Sequence, residues 1–177
     1  MDLKAASAKT AYLILADGTV FKGRSFGCEG EVIGEIVFTT AMTGYEETLT
    51  DPSYCGQIVT QTFPLIGNYG VNDEDYESRT SVVSGYIVRE YCEVPSNFRC
   101  EGDIDSFLKQ HNIIGLFGID TRRLTRIIRE TGVMNGMITT SEPTDEFKAQ
   151  ALERIRAYVV GPVVPKVSVK QPEKFSA

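Results

Sequence analysis

Between Ala11 and Phe26 the stretch AYLILADGTVFKGRSF sets two β-rich runs, Tyr12 to Ala16 and Thr19 to Phe26, on either side of Asp17-Gly18, a pair suited to positive φ. A hairpin is the expected result, and it commits the start of the chain to antiparallel pairing. IGEIVFTT, Ile33 to Thr40, supplies another strand with a short apolar run. Ile58 to Phe63 alternates Ile, Thr and Phe with Val, Gln and Thr in strand fashion. Between these two, Gly44, Asp51-Pro52 and Gly56 punctuate a loop with one helical turn around Tyr45 to Leu49. SVVSGYIVRE gives a strand after the polar NDEDYESRT, and VPSNFRCEGD reads as an irregular connection.

From Asp103 onward the pattern changes to α/β. DIDSFLKQHN forms a short helix capped by Asp103, with Ile104, Phe107 and Leu108 on one face. IIGLFGI is a continuous apolar run of buried-strand type. A helix follows it, capped by Asp120, closed by Gly132, with Leu124, Ile127 and Ile128 on one side. Arg122, Arg126 and Arg129 fall on the opposite side, within roughly 60° of one another at about 100° per residue. VMNGMITT is a further strand, and Asp145 to Tyr158 a last helix with Phe147, Ala151, Leu152, Ile155 and Tyr158 on one face. The tail GPVVPKVSVKQPEKFSA carries three prolines and no sustained period. A β-sheet layer beside an α/β layer is the fold class this order implies, with the strand order left open.

The length of 177 residues suits one domain with a tail, and 42% hydrophobic with 24% charged residues places the chain among soluble globular proteins. No apolar run approaches the roughly 20 residues that cross a bilayer. Met1 to Lys9 has no apolar region of secretory type, so a cytoplasmic location and no membrane partner are expected. The net charge of −6 opposes a nucleic-acid backbone, and no nucleic-acid partner is expected. Cys28, Cys55, Cys92 and Cys100 form no C-x-x-C pair, and the single histidine, His111, completes no common zinc set. Reduced thiols and no metal site are the expectation.

A hydrolase reading would pair Cys55 with His111, but His111 ends a short amphipathic helix, where a histidine commonly meets the last carbonyls or solvent. No nucleophile elbow, P-loop or dinucleotide fingerprint is present; GLFGID resembles one only superficially. Glu46 and Glu47 are adjacent and point apart on a helical turn, and Asp73, Glu74 and Asp75 read as a solvated run. The stripe of Arg122, Arg126 and Arg129 reads either as a solvent face or as a docking surface on an acidic protein. Within TTAMTGYEETLTDPSYCGQIVTQTFPLIGNYG, Thr39 to Gly70, the side chains of Thr43, Ser53, Tyr54, Gln57 and Asn68 are able to position a polar ligand. Local turn chemistry at Asp51-Pro52-Ser53 and Gly67-Asn68 explains the same residues equally well.

GEIVFTTAMTGYEETLTDPSYCGQIVTQTFPLIGNYG, Gly34 to Gly70, and GIDTRRLTRIIRETGVMNGMI, Gly118 to Ile138, together resemble the two signature blocks of the carbamoyl-phosphate synthase small subunit, in its N-terminal domain. SNFR, Ser96 to Arg99, lies between them, and the likeness runs from about Tyr12 through Tyr158. The resemblance implies an α/β domain of layered β/β/α, swivelling-domain type with mixed sheets over residues 11–160. It implies an N-terminal extension over residues 1–10, and residues 161–177 leading toward a class I glutamine amidotransferase domain that is absent here. In the family that second domain carries a cysteine, a histidine and a glutamate that hydrolyse glutamine. Ammonia then passes to a large subunit, which uses bicarbonate and ATP to make carbamoyl phosphate for arginine and pyrimidine synthesis.

No catalytic residue is expected in this chain, which is read as part of a ligase complex and inactive alone. Of the family's ligand contacts, only the serine of TDPSY carries over, as Ser53 toward bound glutamine. Arg122, Arg126 and Arg129 are the candidate partner-docking residues. The expected partners are the large subunit and the amidotransferase domain; ATP and Mg or K ions are expected on the large subunit, and no cofactor here. The rival reading is a freestanding interaction or ligand-binding module of the same fold, and a third is a minimal hydrolase using Cys55.

Overall fold

The structure is a computed structural model that describes residues 8–172. The expected hairpin forms from β1 (Thr10–Leu15) and β2 (Val20–Gly27), with Leu13 opposite Phe21 and Ile14 opposite Val20. Asp17 makes its turn: the carboxylate accepts Thr19 N–H at 2.7 Å and the Thr19 hydroxyl at 3.0 Å, while Gly18 takes φ +90. The chain continues through β3 (Glu31–Thr39), α1 (Tyr45–Thr50), β4 (Ile58–Gln61), β5 (Leu65–Ile66), β6 (Gly85–Val88) and β7 (Glu90–Tyr91). It then runs through α2 (Ile104–Gln110), β8 (Ile114–Phe117), α3 (Thr121–Thr131), β9 (Asn135–Thr139), α4 (Asp145–Ala157) and α5 (Val164–Val167).

Seven of these strands form one closed sheet in the order β1-β2-β8-β6-β4-β3-β9, and β5 pairs with β7 outside it. The hairpin joins β8 and β9 by antiparallel ladders, whereas β3, β4, β6 and β8 run parallel to their neighbours in that series. The α/β class and the mixed strand directions agree with expectation. Beyond that class, the strands close into one ring, because β9 pairs with both β1 and β3 and so leaves no free edge between the antiparallel hairpin and the parallel strands.

Side-chain alternation divides the core between the two faces of the closed sheet. Leu13, Ile36, Ile58, Ile87, Leu116 and Ile138 belong to one buried cluster, and α3 adds Leu124 and Ile128 to it. Their neighbours Val59, Tyr86 and Phe117 point the other way, against Ile104, Phe107 and Leu108 of α2 and Leu49 of α1. Ile14 and Met137 meet Ala151 and Ile155 of α4 in a third cluster. A small barrel has room only for side chains, so the first cluster fills it.

The helices start where side-chain acceptors are available. Asp103 accepts Ser106 N–H at 3.0 Å, Asp120 accepts Arg123 N–H at 2.9 Å, and Thr144 accepts Phe147 N–H at 3.2 Å. β4 stops at Gln61 instead of reaching Phe63, because Pro64 has no N–H to continue a ladder. In the tail, Val164–Val167 forms one short helical turn where no period was expected. The described parts of the expected extension and linker are residues 8–10 and 161–172; residues 1–7 and 173–177 lie outside the described residues. No helix among the described residues is long and apolar enough to cross a membrane.

Close backbone packing at the β2–β8 seam generates a stability prediction. A Cβ at Gly115 would lie 2.4 Å from Phe26 Cδ1 and 2.6 Å from Phe26 O. Gly115→Ala is expected to lower urea-unfolding stability by about 1–3 kcal/mol, the usual range for overpacking. An unchanged midpoint would show that the seam yields freely.

Candidate functional site

The segment joining β3 to β4 carries the candidate residues, and α1 is its anchor. Gly44 adopts φ 77, which turns the chain into α1 and directs its N–H to the Tyr69 hydroxyl at 2.8 Å. Tyr45 stacks on Tyr69 with ring centroids 4.3 Å apart and donates its own hydroxyl to Gly70 O. Burial pushes the Tyr45 hydroxyl's pKa up, so it remains a donor.

Glu46 is fully buried. Its carboxylate accepts Asn72 N–H at 2.7 Å and Asn72 Nδ2 at 3.4 Å. Burial raises its pKa to about 7; the Asn72 hydrogen bond opposes the rise, and nearby Asp75, Glu47 and Asp73 add to it. Asn72 also donates to Asp75 at 2.8 Å and accepts from Arg99 at 3.2 Å, and Arg99 pairs with Asp75 at 2.8 Å and Glu74 at 3.0 Å. Hydrogen bonds from Asn72 and Arg99 hold the Asp75 carboxyl below the usual range. Asp73 and Glu74 are exposed as a solvated run would be, but Asp75 is tied into this network.

The end of α1 is pinned as firmly. Thr50 Oγ1 donates to Glu46 O at 2.8 Å and accepts Glu77 N–H at 2.9 Å, while Ser78 Oγ donates to Thr50 O at 2.7 Å and Ser81 Oγ to Leu49 O. Asp51 then accepts Ser53 N–H at 2.8 Å and starts the 3-10 turn Pro52–Tyr54. Ser53 is exposed, and its hydroxyl has no hydrogen-bond partner among the described residues. Beside this turn a cleft of ≈ 520 Å³ opens between Pro52, Ser78, Thr80 and Val82 on one wall and Lys166 to Gln171 on the other.

The other candidates separate. Gln57 Nε2 donates to Glu35 at 3.0 Å and Tyr54 packs on the core, whereas Thr43 and Asn68 are exposed. Cys55 is buried, and the four cysteines are free. No hydrogen bond joins Cys55 to His111; His111 caps α2, packs 4.4 Å from the Phe107 ring and faces Thr80 Oγ1 at 3.4 Å. Burial lowers its pKa, with Asp73 opposing. Arg122, Arg126 and Arg129 are all exposed on α3, where they line a separate cleft of ≈ 290 Å³ with Thr40, Thr62 and Thr125.

This arrangement is a scaffold that presents one hydroxyl and one row of cations, and comparison with known proteins gives it a context. Residues 13–138 match the family described as carbamoyl-phosphate synthase small chain, CPSase domain. The chain belongs to this family. It is 51% identical over 162 residues to the carbamoyl phosphate synthase small chain of Syntrophotalea carbinolica, covering 92% of this chain and 43% of that one. It is 54% identical over 144 residues to the small chain of Oceanobacillus iheyensis, covering 81% and 39%. The pyrimidine-specific small chain of Halalkalibacterium halodurans is 53% identical over 145 residues, covering 82% and 39%. The chain therefore spans about two fifths of the length of these small-chain relatives.

Two parts of the small-chain scaffold escaped the sequence reading. Adjacent Glu46 and Glu47 do point apart, but nothing local shows that Glu46 is buried against a residue 26 positions away. Arg99 stood inside SNFR without an assigned partner; the acidic run it clamps was the available signal.

The raised Glu46 pKa fixes the sign of a pH effect. Protonation favours the folded state, so this contribution is complete below the ordinary value of 4.5 and is lost as pH rises through about 7. Each unit between the folded and unfolded pKa corresponds to about 1.4 kcal/mol. Glu46→Gln is expected to flatten the fall in urea-unfolding stability across that window relative to the unmodified chain. Identical slopes for the two proteins would refute the assignment.

Proposed function

We propose that this chain acts as the non-catalytic, N-terminal domain of a glutamine-hydrolysing carbamoyl-phosphate synthase small subunit. In this reading it docks to the large subunit and completes the glutamine site of a class I amidotransferase domain, in the cytoplasm. Glutamine hydrolysis takes place on that amidotransferase domain. The large subunit, with ATP and Mg or K ions, uses the ammonia and bicarbonate to form carbamoyl phosphate for arginine and pyrimidine synthesis. This chain then supplies position rather than bond breaking.

The observation that carries the reading is the Ser53 hydroxyl: exposed, without a hydrogen-bond partner among the described residues, and mounted on a turn that Asp51 caps directly after a helix end held by Ser78 and Ser81. A hydroxyl fixed in this way meets a ligand without first losing a protein hydrogen bond or much conformational freedom. One such bond contributes roughly 0.5–1.5 kcal/mol, enough to orient a glutamine held mainly by another domain. The buried Cys55 thiol, with no base hydrogen-bonded to it, suits a structural role in the same scheme.

Ser53→Ala in the complete small subunit, assayed with its large subunit, is expected to raise the KM for glutamine about 2- to 10-fold, the equivalent of one net hydrogen bond. Ammonia-dependent carbamoyl phosphate synthesis should be unchanged. A normal glutamine KM would remove Ser53 from the site, and equal loss with ammonia would point to assembly instead.

A further inference from the structure

Other arginines of the described chain have visible work. Arg89 lies 3.8 Å from Glu90, Arg99 holds Glu74 and Asp75, and Arg154 meets Glu31 at 2.6 Å. Arg156 donates to Ala16 O at 3.1 Å, Arg123 lies over the Phe21 ring at 5.3 Å, and Arg24 and Arg79 have interactions of their own. Arg122, Arg126 and Arg129 are exposed, and none forms an ion pair among the described residues. On a chain of net charge −6, three unpaired guanidinium groups on one helix face are a local reversal of sign.

Their spacing has a definite geometry. Positions 122, 126 and 129 lie nearly in line along α3, and at 1.5 Å rise per residue the row extends about 10 Å. The row borders a concave surface, the ≈ 290 Å³ cleft that Thr40, Thr62 and Thr125 complete. α3 is fixed from beneath, since Leu124 and Ile128 are buried in the barrel cluster. The cations are thus presented on a rigid support, and a guanidinium is suited to paired hydrogen bonds with a carboxylate.

We infer that this face is where the domain meets the large subunit, and that the large subunit presents a row of Asp or Glu carboxylates to Arg122, Arg126 and Arg129. The inference rests on the subunit reading above and names the surface and its chemistry. Charge complementarity carries the choice of occupant: an acidic protein surface pairs with all three cations, whereas three cations on an acidic chain are too few to hold a polyphosphate backbone. The face is distinct from the Ser53 turn, whose cleft is lined by other residues. One domain therefore carries a ligand-positioning turn and a docking row on separate elements.

The test uses the complete small subunit and its large subunit, with Kd measured by sedimentation at low and high salt. The unmodified pair is expected to bind and to weaken as salt rises. R122E/R126E/R129E is expected to weaken binding at low salt by about 100-fold or more and to lose most of the salt dependence. R122Q/R126Q/R129Q, which avoids introducing acidic charge into the helix, is expected to weaken it by about 10-fold. K22E, a charge reversal at exposed Lys22 on β2, should leave Kd unchanged. If the unmodified subunits do not associate, the subunit reading falls and this inference with it. If they associate and both arginine variants bind normally, the inference alone falls. Saturable binding of inorganic phosphate at the row, with docking unchanged in the variants, would assign it to a small anion and overturn the proposal.

Discussion

β9 lies between β1 and β3, and its two antiparallel ladders hold the closed sheet together. Without them the hairpin would connect to the parallel strands only through the β2–β8 ladder. Closure has a second effect, because β3, β4, β6 and β8 run parallel and parallel neighbours cannot be joined by tight turns. Each connection must travel back along the barrel, and in doing so it acquires room for other tasks. The β3–β4 connection carries α1 and Ser53, and the β6–β8 connection carries Arg99 and α2. The position of the Ser53 turn is thus a product of strand direction.

Glu46 ties two of these connections together by an unusual choice of group. A buried carboxyl is costly when charged, and among the described residues only Asn72 N–H and Nδ2 donate to it. Arg99, the nearest source of positive charge in the network, is spent on Asp75 and Glu74. The raised pKa follows from this burial and from the neighbouring carboxylates Asp75, Glu47 and Asp73. The junction between the two connections is therefore held by hydrogen bonds that Asn72 donates and the Glu46 carboxyl accepts.

Local features of this fold were legible in the sequence. Asp17-Gly18, Asp103, Asp120 and Gly132 each act on residues within four positions, and each turns or caps the chain where its chemistry places it. The row of Arg122, Arg126 and Arg129 was visible from helical period alone, although only coordinates could show that no acidic side chain among the described residues pairs with it. Barrel closure was not legible, because the partners of β9 are set by packing between distant segments rather than by any residue in VMNGMITT. The burial of Glu46 was hidden for the same reason. Ser53 entered by resemblance: its neighbours explain the turn, but nothing in a D-P-S triplet says that the hydroxyl is left over.

The late position of β9 also sets a timetable for biosynthesis. Leu15 pairs with Gly136, a residue 121 positions further along the chain. At about 5–20 residues per second, a ribosome needs roughly 6 to 24 s to add that interval, and for all of it one side of the nascent hairpin has no ladder partner. An unpaired strand edge invites pairing with other chains. The domain is consequently most vulnerable to aggregation before its last strand emerges, and translation speed through the middle of the message sets how long that exposure lasts.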